Sequence, residues 1–127
     1  MTYLSCGTLL TAVRIPGLFV HAAAQSNAPG EVDAFLAQAL EGGPVIASVG
    51  LSRYYVLVPP IAAMKRLGHD TECLPAGHEL GVPPLTLATY QEGVSYWAVP
   101  PDSAGDLCDV DLAEKLARYG QLKWSER

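Results

Sequence analysis

The chain has 127 residues, of which 50% are hydrophobic and 17% are charged. A chain of this size buries roughly two-thirds of its unfolded surface, so we predict a single folded domain over 1–127 and exclude a disordered protein. Eight Lys and Arg residues against 13 Asp and Glu residues give a net charge of −5. This balance excludes an overall basic surface for long nucleic acids.

The amino-terminal third predicts a strand and a helix. Residues 8–15 are rich in aliphatic and β-branched side chains and stop at a Pro-Gly pair, which is typical of a strand. The apolar run 18–23 is interpreted as a second strand or the approach to a loop. Within 31–40 the apolar residues recur at helical spacing, and a Gly-Gly-Pro sequence follows. A helix is therefore expected there.

The rest of the chain predicts a hairpin, further strands and a last helix. Two β-prone runs within 44–58 flank a turn that contains glycine, which indicates a β-hairpin. The other predicted elements are a short helix over 62–67, strands over 71–74, 79–82 and 95–99, and a helix over 109–119 with Gly120 just past its end. The order predicts an α+β fold: a mixed or antiparallel sheet with helices packed mainly on one face.

The cysteines and histidines allow one weak metal hypothesis. His69, Cys73 and His78 are spaced H-x₃-C-x₄-H, and Cys108 is a distant fourth donor. Structural zinc sites usually have tighter, paired ligands, so an ordinary loop with a buried Cys73 is favoured and neither metal nor cofactor is expected. The three cysteines are irregularly spaced, and we identify neither a signal peptide nor an apolar run of membrane length. These features predict a cytoplasmic protein.

Motifs for catalysis are scarce. The sequence has no G-x-S-x-G elbow and no Gly-rich phosphate loop. A small enzyme that uses Cys73 or the histidines remains one hypothesis. A protein without catalysis is favoured.

Two arginines are the most informative polar residues. On the 8–15 strand, Arg14 shares its face with Leu10 and Ala12, and on the hairpin Arg53 shares its face with Tyr55. Two guanidinium groups on neighbouring strands can bind phosphate or carboxylate by forked hydrogen bonds. The alternative is a solvated sheet face on which both arginines only pair with nearby acids such as Asp70 or Glu72.

Three segments resemble the small primase–polymerase domains of the archaeo-eukaryotic primase superfamily. TAVRIP (11–16) is similar to the strand that ends in the family's D-x-D pair, and GPVIASVGLSRYYVLVPP (43–60) to its Ser-Gly-Gly-x-His hairpin. GHDTECLPAGHELGVPP (68–84) is similar to the later acidic, glycine-rich strand pair. The resemblance spans residues 8–101 and implies an RRM-like core, followed by the 109–120 helix.

The sequence departs from this family where the metal would bind. The D-x-D positions are Arg14 and Pro16, and the His position is Arg53. Arginine repels Mg²⁺ and proline offers no ligand, and a third acid at Asp70 or Glu72 would not make a site alone. The resemblance therefore implies a degenerate, truncated and catalytically inactive relative.

We expect this relative to bind a nucleotide, a short single-stranded nucleic acid or a replication partner. The residues expected at its anion or nucleotide site are Arg14, Ser48, Gly50, Arg53 and Tyr55. The alternative is an unrelated small acidic α+β domain that binds a protein partner.

Overall fold

The computed structural model describes residues 2–61, 71–103 and 105–126. In chain order its elements are β1 (Thr2–Ser5), β2 (Thr11–Pro16), α1 (Gly17–Ala24), α2 (Pro29–Ala39), β3 (Val45–Ala47), a short 3-10 helix (Val49–Leu51), β4 (Arg53–Val58), β5 (Glu72–Cys73), β6 (Glu79–Val82), β7 (Tyr96–Val99) and α3 (Val110–Ser125). The helix predicted over 62–67 lies outside the described residues. Among the described helices, none combines the length and the apolar character needed to cross a bilayer.

A five-stranded sheet organises the fold. Its strands lie in the order β5-β2-β4-β3-β7, and each neighbouring pair is antiparallel. Because β2 and β3 are both antiparallel to β4, which lies between them, they run parallel to each other. The chain passes from β2 to β3 through α1 and α2, so these elements form a split β-α-β unit. The α+β class and the hairpin within 44–58 are confirmed.

Both faces of the sheet are covered by other parts of the chain. Because side chains alternate along each strand, every strand contributes residues to both faces. The larger core lies on the helical face, where Val32 and Leu36 of α2 pack with the sheet and with Leu116 of α3. The opposite face carries a smaller cluster around Trp97, to which Leu80 of β6 contributes. β6 pairs with β1 as a separate two-stranded sheet. Both cores are built from residues distant in sequence.

The prediction for residues 18–23 is wrong, because they belong to α1. Its buried residues Phe19, Val20 and Ala23 follow the i, i+1, i+4 spacing of a helix face. Because most of the other residues in this run are also apolar, the sequence shows no clear helical period there. α1 packs against α3 on one side and the sheet on the other.

The predicted end of the last helix is also wrong. α3 continues to Ser125, and Gly120 lies buried inside it instead of following its last turn. A Cβ atom at Gly120 would stand 2.4 Å from the carbonyl oxygen of Phe19. Glycine is therefore required at this position for the close approach of α3 to α1. The preceding residue, Tyr119, is 44% exposed.

Candidate functional site: a cleft with two arginines

A cleft of about 690 Å³ lies at the end of the sheet where β2 passes into α1. Its polar wall comes from the sheet, and its apolar wall comes from the two helices that pack together there. The residues that matter for its chemistry are Arg14 and Pro16 of β2, Arg53 of β4, Glu72 of β5, Leu18 of α1 and Trp124 of α3. We call this site the arginine cleft.

Arg14 enters the cleft from β2, which lies between β4 and the edge strand β5. It lies opposite Tyr55 on β4 and opposite Glu72 on the edge strand β5. Its guanidinium forms an ion pair with the carboxylate of Glu72. The Arg14 side chain is 27% exposed, so part of it remains open to the cleft. A carboxylate engages at most part of the five guanidinium N–H donors, which leaves others for a second acceptor.

Arg53 is the first residue of β4 and lies opposite Pro16. Its backbone is fixed on both sides: its N–H donates to the Ser48 Oγ at 3.0 Å, and its carbonyl accepts from the Ser48 N–H at 3.0 Å. The Arg53 residue is exposed. Within the described part of the chain, no carboxylate pairs with its guanidinium.

The turn of the hairpin is pressed against the start of α1. Gly50 and Leu51 both have positive φ angles, 76° and 58°. The Gly17 N–H donates to the Ser52 carbonyl at 2.7 Å, and a Cβ atom at Gly17 would stand 2.1 Å from the Leu51 carbonyl oxygen. Only glycine allows this approach. The contact holds the base of β4 beside the end of β2.

The structure brings two of the five predicted site residues into the lining of the cleft. Arg14 and Arg53 line it. Ser48 and Gly50 shape the turn that leads to Arg53, and Tyr55 packs beside Arg14 against the smaller core cluster. The sequence interpretation missed the apolar wall, because Trp124 was placed beyond the last helix and Leu18 in a strand or loop.

The arginine cleft is a local positive region on an acidic protein. Its described lining residues carry two positive charges, from Arg14 and Arg53, and one negative charge, from Glu72. The sum is +1 on a chain whose net charge is −5. A partly enclosed site of this sign attracts small anions more strongly than the protein surface as a whole does.

In the described part of the chain, the cysteines do not form a nucleophilic site and no group of side chains forms a metal site. Burial raises the pKa of Cys73, with a smaller contribution from Cys6, and burial raises the pKa of Cys108 to about 12. Both shifts favour the neutral thiol, which is a poor nucleophile. No three His, Cys, Asp or Glu side chains among the described residues are grouped to hold a metal ion. His69 and Asp70 of the predicted clusters lie outside the described residues.

The resemblance to primase–polymerase domains implies Mg²⁺ at the end of β2. The donors present there do not fit this ion, because Arg14 supplies a cation and Pro16 an apolar ring. Comparisons with protein families, with curated proteins and with solved structures found no match.

Proposed function

We propose that the chain is a catalytically inactive primase–polymerase-like module that binds a nucleotide through Arg14 and Arg53. The observation that carries this proposal is that both guanidinium groups open onto one cleft at the end of the sheet. Phosphate groups are the natural ligands of such a pair, since each guanidinium presents a fork of N–H donors.

The apolar wall of the arginine cleft favours a nucleotide over a simple anion as the ligand. Trp124 and Leu18 provide an aromatic and an aliphatic surface beside the two arginines. A nucleotide combines a polyanionic end with a flat ring that stacks on aromatic side chains. The cleft volume of about 690 Å³ lies within the range of small-molecule sites.

The topology supports the kinship on which the inactive-module proposal depends. The strands β2, β3, β4 and β5 lie in the order β5-β2-β4-β3 with antiparallel neighbours. An RRM-like core of split β-α-β type has this strand order. This is an argument about fold, and the function still depends on the site.

The proposal is tested by titrating ATP at low salt into the wild type and into Arg53→Ala. Hydrogen bonds to charged groups contribute about 1.5–3 kcal/mol each, so two forked contacts support a Kd of about 1 mM. We expect Arg53→Ala to weaken binding at least tenfold and 0.2 M salt to weaken it further.

The matched control is Arg118→Ala, which removes the same charge from α3. Arg118 is 67% exposed, pairs with Glu114 at 3.6 Å and does not line the cleft. Equal ATP binding by the two variants, or no binding by the wild type at millimolar ATP, would refute the proposal.

A protein-binding role is the second candidate, and the surface of β1 favours it. All four β1 residues are exposed, including Tyr3 at 64%, and Leu9 just beyond the strand is 81% exposed. Exposed apolar side chains beside a sheet edge are typical of protein contacts. Tyr3→Ser should then abolish binding to a partner while leaving ATP binding unchanged.

A further inference from the structure

A second cleft of about 610 Å³ adjoins the arginine cleft. The two clefts share Leu18 and Trp124 as lining residues. The second cleft lies between the carboxyl end of α1, the segment that follows it and the carboxyl end of α3. Its polar lining consists of His21, Gln25, Ser26 and Asn27 together with the charged Lys123 and Glu126. We call it the amide cleft.

The amide cleft differs from the arginine cleft in its charge. Lys123 and Glu126 line it, but they lie 3.7 Å apart as an ion pair, so their charges offset each other. Gln25 and Asn27 are exposed, and within the described residues neither side-chain amide makes a hydrogen bond. Each amide therefore offers hydrogen-bond donors and an acceptor without a net charge.

We propose that the amide cleft holds the base of a nucleotide whose phosphates lie in the arginine cleft. This inference rests on the proposed function and extends it to the orientation of the ligand. The shared residues lie where the ligand would pass from one cleft to the other, so Trp124 contacts the sugar and one face of the base. Along the two clefts the lining changes from the arginines to the apolar Leu18 and Trp124 and then to the amides of Gln25 and Asn27. This order matches the phosphates, sugar and base of a nucleotide.

Adenine is the base that suits this cleft as a probe. A side-chain amide can donate to the ring N7 of adenine and accept from its N6 amino group. Inorganic tripolyphosphate has the same phosphate chain as ATP but neither sugar nor base. A comparison of ATP with tripolyphosphate therefore separates the contribution of the amide cleft from that of the arginines.

The test measures the affinity of both compounds for the wild type and for a Gln25→Gly/Asn27→Ala double variant. Glycine is chosen at position 25 because Gln25 has a φ of 56°, which glycine adopts without strain. We expect the wild type to bind ATP about tenfold more tightly than tripolyphosphate. The double variant should lose most of this difference through weaker ATP binding, with its tripolyphosphate affinity unchanged. The matched control Gln38→Ala, which removes an exposed amide of α2, should retain the difference.

The possible outcomes distinguish failure of this inference from failure of the proposed function on which it rests. If the wild type binds ATP and tripolyphosphate equally well, or if the double variant keeps the full difference, the base lies elsewhere and only the phosphate site survives. If the wild type binds neither compound, the anion site itself is refuted and the inference with it. A selective loss of ATP affinity in the double variant, absent from Gln38→Ala, supports the inference.

Discussion

The hydroxyl group of Tyr96 donates to the carboxylate of Asp33, at 3.0 and 2.8 Å from its two oxygens. A parallel contact joins Tyr54 to His21, whose Nε2 lies 3.1 Å from the tyrosine oxygen. Both tyrosines lie beside Ala47 in the sheet register, so the small alanine separates two buried rings in one row. The two tyrosine hydroxyls therefore connect the sheet by hydrogen bonds to Asp33 of α2 and to His21 of α1.

Replacing Asp33 by Asn should stabilise the protein at pH 7.5 by about 1–2 kcal/mol. Burial raises the pKa of Asp33 from 3.8 to about 6, although the hydrogen bond from Tyr96 opposes the shift. The native state therefore binds a proton between about pH 4 and 6 that the unfolded chain has released, and its stability falls as pH rises through that window. The full shift corresponds to about 3 kcal/mol, which we reduce for the partial exposure of the carboxylate. Asn retains an acceptor for Tyr96 without the buried charge.

Urea unfolding of the wild type and Asp33→Asn at pH 5 and pH 7.5 checks this expectation. His21 acts with the opposite sign, because burial lowers its pKa and stability is lost as the unfolded chain takes up a proton below about pH 6.5. The variant, which retains only the histidine contribution of the two, should lose stability at pH 5 relative to pH 7.5. An unchanged pH dependence in the variant would contradict the assignment to Asp33.

Gly120→Ala should destabilise the protein by at least about 2 kcal/mol, whereas Gly30→Ala should not. Alanine in a helix interior is favoured over glycine by about 1 kcal/mol, so propensity alone predicts stabilisation in both cases. At Gly120 the new methyl group would overlap the backbone of Phe19, but at Gly30 nothing lies within 4 Å of it. Steric overlap with backbone cannot be relieved by a rotamer change. Equal urea midpoints for the two variants would show that α3 does not approach α1 as described.

The hairpin and the arginine pair could be predicted because their signals are local. Alternation along 53–58 places Arg53 and Tyr55 on one face, and in the sheet register Arg14 lies opposite Tyr55. The sequence named Glu72 only as one of two acids that could pair with either arginine, and the apolar wall could not be assigned in the same way. Glu72 reaches Arg14 only because β5 joins the far edge of β2, and Trp124 reaches the cleft only because Gly120 lets α3 approach α1. Both contacts depend on packing between distant segments.

Glu72→Gln should strengthen tripolyphosphate binding by about threefold to tenfold, because it removes the only negative charge among the described residues of the arginine cleft. The ion pair itself should matter little for folding, since the Glu72 side chain is 54% exposed and exposed pairs contribute about 0–1 kcal/mol. The control is Glu114→Gln, which changes the net charge equally but lies on α3 outside the cleft. Weaker binding by Glu72→Gln would mean that Glu72 is needed to orient Arg14, and that the cleft charge does not limit affinity.

The protein should not extend a primer or start one in the presence of Mg²⁺ or Mn²⁺. Phosphoryl transfer by a two-metal site requires carboxylates that hold both ions against the attacking and leaving oxygens. At the end of β2 the positions that resemble the D-x-D pair of such enzymes carry Arg14 and Pro16, and Arg53 adds a second positive charge to the same cleft. A cationic cleft can hold the phosphates of a nucleotide directly, but it repels the ions that would activate them. The measurement is template-dependent incorporation of labelled nucleotide against a control without protein. Incorporation that exceeds the control and disappears in Asp70→Asn or Glu72→Gln would contradict this prediction and would assign a catalytic role to the acid replaced.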